Sequence, residues 1–286
     1  MKILLTGATG TIGGALIPRL LAAGHTLVHV GRAKLPIHHP CLEWVIADFS
    51  GGEALVAGPW SGCEAALHLA NLTKEDPALD RTVSAELFGL AAAAGVKNFF
   101  YASSIRVYGN AYGVITEEAT PAPLPSDLYG QAKLATEGVL RGLTERAPGT
   151  KLRILRIGHV ITPENRAKLP RSLGARFLLL WGRGYPHYIA VADVVDALLF
   201  LLEKQTLLSQ PEVLHLTRDE ENSRYADYYG SAVTRLLALP LWATRMITSS
   251  LPGAREARCS RILPKSLSEL GWSFLSPALS REDLGQ

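Results

Sequence analysis

The run Thr6-Gly7-Ala8-Thr9-Gly10-Thr11-Ile12-Gly13 comes directly after the apolar stretch Lys2-Ile3-Leu4-Leu5. It leads into a segment where Ile12, Leu16, Ile17, Leu20 and Leu21 recur at helical spacing. A glycine-rich turn between a buried strand and a helix restricts the chain more than any other feature it carries. Gly7 permits the tight turn, Gly10 lets backbone approach a pyrophosphate, and Gly13 lets helix and strand pack closely, with the helix N-terminus facing the negative charge. The spacing is GxxGxxG, not the GxGxxG of the general dinucleotide fingerprint.

The strand-then-helix rhythm repeats along the chain. Apolar strand patterns occur at Thr26 to Val30, Leu42 to Ala47, Ala65 to Leu69 and Asn98 to Ala102, with helical stretches between most of them, notably Thr82 to Ala94. Beyond Lys133 come a helix to about Thr144, a strand at Leu152 to Ile157, a helix at Asp193 to Glu203 and a strand at Val213 to Thr217. Right-handed βαβ crossovers give this alternation one economical packing, an α/β fold with a doubly wound parallel sheet, the Rossmann arrangement. Residues 1–160 with 187–217 are assigned to a NAD(P)-binding domain on that sheet. Residues 161–186 with 218–286 break the rhythm and are assigned to a small, discontinuous substrate-capping lobe.

Several function classes fall away on composition. The apolar runs, such as Phe177 to Trp181 and Ala197 to Leu202, are far shorter than the roughly 18 residues that span a bilayer, so no membrane segment is predicted. Met1-Lys2 opens straight into the first strand, which leaves no signal peptide to lay out and points to the cytoplasm. Cys41, Cys63 and Cys259 form no CxxC pair, against a disulfide framework or a metal site. Net charge is +3, but residues 1–150 hold 11 basic and 13 acidic side chains while residues 151–286 hold 18 and 13. Arg166, Lys168, Arg171, Arg176 and Arg183 stand against the single acid Glu164. They suit either an anionic substrate or a plainly solvated basic face. No aromatic-interleaved basic stripe accompanies them, so nucleic acid is disfavoured as a partner.

The second strand ends in Val30-Gly31-Arg32, where the general fingerprint has an acid for the ribose 2′-hydroxyl. A guanidinium there can pair bidentately with a 2′-phosphate, so NADP(H) is favoured over NAD(H). Tyr129-Gly-Gln-Ala-Lys133 sets a phenol and an ammonium four residues apart, on one helix face. A free Tyr titrates near 10, and a neighbouring cation lowers that value and fits the phenol for general acid or base work. Ser103-Ser104 come at the end of the fifth strand, at the edge where doubly wound folds hold their ligands.

With these residues in view, the chain resembles an extended short-chain dehydrogenase/reductase, in the branch of NAD(P)-dependent epimerases and dehydratases that act on nucleotide sugars. The matching segments, in family order, are TGATGTIGG (6–14), ADF (47–49), HLAN (68–71), ASSIRVYG (102–109), YGQAK (129–133), LRIGHV (155–160) and YIAVADVVDA (188–197), with Leu270-Gly271-Trp272 echoing the family's last segment. The resemblance implies a catalytic set of Tyr129 as acid/base, Lys133 as the cation that lowers its pKa and binds the nicotinamide ribose, and Ser104 as hydrogen-bond partner of the reacting oxygen. It implies cofactor contacts at Gly7, Gly10, Thr11, Ile12, Gly13, Arg32, Asp48 (to the adenine amino group), Phe49, Leu69, Ala70, Tyr129, Lys133 and Ile157. Ser104, His159 and Arg183 are the substrate candidates. Such proteins often form homodimers, here through helices equivalent to Thr82–Ala94 and Tyr129–Thr144.

Departures from that pattern narrow the reading. Dehydratases of the family carry an acidic pair after the catalytic Ser or Thr, and this chain has Ile105-Arg106, which argues against elimination. Sugar-nucleotide members have Asn where His159 stands and Arg near Pro186-His187, so that substrate class is weakened while redox chemistry is untouched. His159, His187 and the pair His38-His39 also fit ordinary packed or solvated histidines, and Trp60, Trp181 and Trp272 read as packing. Two functions are carried forward. One is an oxidoreductase moving hydride at a carbonyl or secondary alcohol of a small molecule, as reductase or epimerase. The other is a non-catalytic NADP(H)-binding regulator on the same scaffold, disfavoured because Tyr129 and Lys133 are both present.

Overall fold

The computed structural model describes residues 1–49, 58–73, 76–111, 113–166, 187–204, 212–218, 243 and 260–276. Strands β1 (Lys2–Thr6), β2 (Thr26–Gly31), β3 (Leu42–Ile46), β4 (Ala65–His68), β5 (Asn98–Ser104), β7 (Lys151–Ile157) and β10 (Val213–Leu216) form a seven-stranded sheet in the order β10-β7-β5-β4-β1-β2-β3. All six pairings are parallel, and the strand order reverses between β1 and β4. This is the doubly wound Rossmann arrangement read from the alternation of patterns. Two small parallel pairs lie beside it: β6 (Gly113–Ile115) with β11 (Ser260–Ile262), and β8 (His159–Ile161) with β9 (Tyr188–Ala190).

Helices α1 (Thr11–Ala22), α2 (Pro77–Ala93), α3 (Leu128–Thr144), α4 (Pro163–Arg166), α5 (Val191–Glu203) and α6 (Lys265–Glu269) complete the described elements. The two-residue alternation of side chains divides the sheet between two cores. Ile3 and Leu5 enter one cluster with Leu16, Ile17, Leu20, Leu198 and Leu201 of α1 and α5. Leu4, Ala66, Phe99 and Tyr101 enter the other with Val83, Leu87, Phe88 and Leu140 of α2 and α3. Because helices cover both faces, β1 and β4 at the centre of the sheet read as near-continuous apolar runs rather than alternating ones. Among the described residues no helix is long and apolar enough to cross a membrane.

Two boundaries differ from the sequence reading for physical reasons. Helix α2 begins five residues before Thr82: Asp76 accepts the Ala78 amide at 2.7 Å and Pro77 takes the first position, a cap and a proline that outrank hydrophobic periodicity. Part of the tail assigned to a capping lobe lies on the Rossmann core. Leu267 and Trp272 join the α1/α5 cluster, Trp272 Nε1 donates to Asp196 at 2.9 Å, and Asp193 accepts the amides of Leu275 and Ser276. Most of the remaining proposed lobe, 167–186, 219–242, 244–259 and 277–286, lies outside the described residues. Lys168, Arg171, Arg176 and Arg183 fall there with Trp181 and Cys259, as does the side chain of Arg166.

Candidate active site

The glycine-rich turn sits at the sheet's switch point. Gly7 adopts φ +79°, and a Cβ on it would stand 2.5 Å from the Ala70 nitrogen and 2.6 Å from the Leu69 carbonyl carbon. Only glycine serves there, for both reasons. A Cβ on Gly13 would lie 2.3 Å from the Gly7 oxygen, so the first turn of α1 rests directly on the loop, as the GxxGxxG spacing predicts. Gly10 is the N-cap of α1; its amide donates to the Gly7 oxygen at 3.0 Å, and a Cβ on it would stand 3.2 Å from that oxygen. No side chain caps α1 and no acid occupies its first turn, while Thr9, Gly10 and Thr11 are exposed. The uncapped amides and the positive end of the helix dipole form a cradle that fits a pyrophosphate.

Around this cradle stand the other cofactor candidates. Val30 pairs in register with Thr6, so Arg32, exposed just beyond β2, lies at the same carboxyl edge as the loop. Leu69 and Ala70 close on Gly7, with Ala70 N–H donating to Thr6 Oγ1 at 3.3 Å. Asp48 is half-buried beyond β3, and Ile12 half-buried on α1. Phe49 is packed in the α2/α3 core at 6% exposure, and Ile157, paired in register with Ser104, joins the α1/α5 core at 6%.

Beneath the loop runs a directed hydrogen-bond chain. Ser84 Oγ donates to the Asp80 carbonyl at 2.6 Å, so His68 Nε2 must donate to Ser84 at 2.9 Å, and Thr6 Oγ1 then donates to His68 Nδ1 at 2.7 Å. His68 is thereby fixed as a neutral tautomer, and full burial takes its pKa down to about 4. A similar chain crosses the other end of the sheet. Arg156 Nη1 donates to the Tyr108 hydroxyl, which donates to His215 Nε2 at 2.6 Å, and His215 Nδ1 donates to the Leu263 carbonyl at 2.8 Å. Burial lowers His215 to about 4 and raises Tyr108 to about 12.

These histidines make the fold acid-sensitive. Each has a folded-state pKa below the unfolded value near 6.5, so its contribution is present above pH 6.5 and is lost as pH falls through about 4. Each accounts for up to about 3 kcal/mol over that window. Urea midpoints taken between pH 7 and 4 should fall steeply, and His68→Gln should flatten the slope. A midpoint unchanged to pH 4.5 would show that the histidines are not held neutral.

Ser104 lies at the carboxyl end of β5, and Tyr129 and Lys133 stand one turn apart on α3, which packs against that end. Ser104 ends β5 and accepts the Arg106 amide at 3.3 Å, opening the short 3₁₀ turn Ile105–Tyr108. Asp127 caps α3, accepting the Gly130 amide at 2.9 Å. A Cβ on Gly130 would lie 2.8 Å from the Arg106 oxygen. The glycine of the Tyr-Gly step thus lets the first turn of α3 close on the Ser104 turn, which brings Ser104 near enough to Tyr129 to favour its phenolate. The Arg106 guanidinium forks onto Asp127, with Nε at 2.7 Å, and stands 5.1 Å from the Tyr129 ring centre.

The phenol itself differs from the sequence expectation. Burial, the largest influence, pushes the Tyr129 pKa above its ordinary value. The Asp80 and Asp127 charges add to the rise, against the Ser104 hydrogen bond and the Arg106 cation. The depression anticipated from Lys133 is absent because that cation has a counter-charge. Lys133, 1% exposed, has its Nζ 3.4 and 3.5 Å from the two Asp80 oxygens and 4.8 Å from the Tyr101 ring centre. Burial lowers its own pKa, and Asp80 opposes that fall.

His159 is exposed at β8, its ring edge-on to Tyr188 with centroids 5.5 Å apart. His187 is buried, and His38 and His39 are exposed. Sequence reasoning missed Asp80, Glu137 and Arg156. Glu137 accepts from Arg156 at 2.7 and 3.1 Å and from Ser103 at 2.5 Å, directly behind Ser104. The signal that could have found them is polar residues on buried helical stripes: Asp80 and Ser84 with Val83 and Leu87 on α2, Lys133 and Glu137 with Leu140 on α3.

A parallel seven-stranded sheet with a glycine-rich turn at its switch point is the Rossmann type of dinucleotide-binding fold. The sequence profile of the NAD dependent epimerase/dehydratase family matches residues 3–216, and the chain belongs to that family of enzymes. It is 28% identical over 301 residues to an epimerase family protein of Mycobacterium leprae, covering 95% of this chain and 91% of that one. It is 25% identical over 261 residues to a UDP-glucose 4-epimerase of Yersinia pestis, covering 74% and 76%. Among solved structures it resembles MoeE5 in complex with UDP-glucose and NAD, with a TM-score of 0.67, 23% identity and coverage of 100% and 96%. The UDP-glucose 4-epimerase of Thermotoga maritima with UDP-glucose gives 0.65, 21%, and 99% and 95%.

Proposed function

We propose that this chain moves hydride between a nicotinamide dinucleotide, NADP(H) in preference to NAD(H), and a carbonyl or secondary alcohol of a small, sugar-like substrate. What supports the reading is a glycine cradle at the switch point of a parallel sheet together with Ser104 at the end of β5 and Tyr129 and Lys133 one turn apart on α3. When bound, the nicotinamide would supply the hydride acceptor and donor. The amides of α1 would hold its pyrophosphate, Asp48 would meet the adenine amino group, and Leu69 and Ala70 would line the cleft. Ser104 would hydrogen-bond the reacting oxygen, and Tyr129 would give or take its proton. A phenol held above its usual pKa stays protonated at neutral pH, which suits proton donation to a developing alkoxide. An ammonium has three N–H donors, and among the described residues Lys133 directs its hydrogen bonds at one carboxylate only, which supports a further acceptor such as a ribose hydroxyl. Relatives and neighbours whose names carry UDP-sugars support a nucleotide-sugar substrate, while the absence of an acidic pair at Ile105-Arg106 supports redox chemistry rather than dehydration.

The preference for NADP(H) rests on Arg32, since the structural neighbours are named with NAD. Arg32→Asp removes a charge-assisted pair with the 2′-phosphate and should shift relative affinity toward NAD(H) by about ten- to a hundredfold. Calorimetric titration with both dinucleotides measures it. Wild-type protein that already binds NAD(H) more tightly would overturn the assignment. Reductase and epimerase part on retention, because an epimerase regains its starting cofactor at each turnover. Absorbance of the purified protein near the reduced-nicotinamide band, followed by denaturation, distinguishes the two. A released dinucleotide means an epimerase, whereas protein that carries none but consumes added NADPH with a ketone means a reductase. Protein that neither carries nor consumes a dinucleotide would contradict the proposed function.

A further inference from the structure

We propose that Asp80 is the positioning counter-ion of this site, a carboxylate on α2 that clamps the Lys133 ammonium against the Tyr101 ring and so fixes where that cation stands relative to Tyr129. The inference rests on the function proposed above for Tyr129 and Lys133. Asp80 is wholly buried, and groups from the Leu72 loop, β5 and α3 converge on it. Its Oδ1 accepts the Leu72 amide at 3.1 Å and its Oδ2 accepts the Tyr101 hydroxyl at 3.1 Å, while the single proton of Thr136 Oγ1, 3.3 Å from Oδ2, is shared with the Ala132 carbonyl at 3.1 Å. Two neutral donors thus orient the carboxylate independently of the lysine. The socket is fixed and the cation is its guest.

A comparison inside α3 separates this pair from a merely structural one. One turn beyond Lys133, Glu137 grips Arg156 with two hydrogen bonds, at 2.7 and 3.1 Å, geometry that uses up the charge locally. Lys133 instead lies 3.4 and 3.5 Å from its carboxylate, beyond the usual charge-assisted distance, with its remaining donor capacity unspent on Asp80. That arrangement holds an ammonium in place without consuming it. Its other charged and titratable neighbours are Tyr101 on β5, Glu137 on α3 and His68 on β4, and Asp80 itself acts on Tyr129. Asp80 is the carboxylate in direct contact with it, and Glu137 is committed to Arg156.

The test uses Asp80→Asn, which keeps size and an acceptor oxygen but removes the charge. Binding of NADH and NADPH is followed by nicotinamide fluorescence from pH 7 to 9.5. Wild-type affinity should change by less than about twofold, whereas the variant should lose up to about tenfold per pH unit, as a buried lysine without its counter-charge gives up its proton. Asp80→Glu should restore the flat profile. Alongside, urea midpoints are compared for Asp80→Asn, Lys133→Met and the double variant. Removing the lysine should recover stability lost by the Asn variant, including folding itself if the single variant does not fold. An Asn variant with the wild-type pH dependence of binding, or a double variant no more stable than Asp80→Asn, would overturn the proposal. If wild-type protein binds neither dinucleotide, the functional reading fails, and the unfolding cycle still decides whether Asp80 and Lys133 act as a pair.

Discussion

Tyr129→Phe should bind the dinucleotide within about twofold of wild type while turnover falls by roughly 10²–10⁴, the loss typical of a removed general acid or base. The variant deletes one oxygen from a half-buried ring that Arg106 stacks on and Ser104 reaches, so packing is retained while the proton path is lost. The direction of the pH profile is set by burial. With the phenol above its ordinary pKa, carbonyl reduction should run level from about pH 6 to 9, because the proton donor stays loaded throughout. Alcohol oxidation, which needs the phenolate, should rise toward alkaline pH. Steady-state rates in both directions check this, and full activity in Tyr129→Phe would remove the phenol from the mechanism.

Glu137→Ala is expected to cost about 3–5 kcal/mol of folding stability, the range for stranding one partner of a buried ion pair. Arg156, 2% exposed in its side chain, would keep its charge with its carboxylate gone, and Ser103 would lose its acceptor at 2.5 Å. The same cut disconnects a chain that runs from α3 through Arg156, Tyr108 and His215 to Leu263, so the 260–276 segment should loosen with it. Hydrogen exchange at Leu263 to Trp272 and a urea midpoint measure both effects. Adding Arg156→Met should recover much of the loss, because two apolar side chains replace two charges. Stability within about 1 kcal/mol of wild type in Glu137→Ala would mean that the pair carries no net weight.

Much of this architecture was legible in the order of the residues. Helices on both faces make the central strands rich in apolar residues, and the runs within Lys2 to Thr6 and Ala65 to His68 declare themselves in that way, whereas β7 carries Arg153 and Arg156 among its apolar residues. The roles of Gly7 and Gly13 were legible too, since only a close approach or a positive φ demands glycine at those spacings. The YxxxK spacing placed Tyr129 and Lys133 one turn apart, as α3 has them. What the pattern hid was long-range electrostatics. Asp80 lies 53 residues from Lys133 and Arg156 lies 19 from Glu137, and no local spacing announces either pair. The rise in the Tyr129 pKa was hidden too, because a sequence shows the cation beside the phenol but neither the burial that chiefly raises it nor the Asp80 charge that adds to it. Among the cofactor candidates, Thr11 and Arg32 are exposed, while Phe49 and Ile157 pack in the two cores.

The central claim is that the cradle around Gly7, Gly10 and Gly13 serves a nicotinamide dinucleotide that Tyr129 and Lys133 then use. Isothermal titration of the purified, dinucleotide-free chain with NADPH and with NADH tests it most directly. Saturable binding at one site per chain is expected, tighter for NADPH, and weakened by Lys133→Met but not by Tyr129→Phe. A folded chain that takes up neither dinucleotide would contradict it.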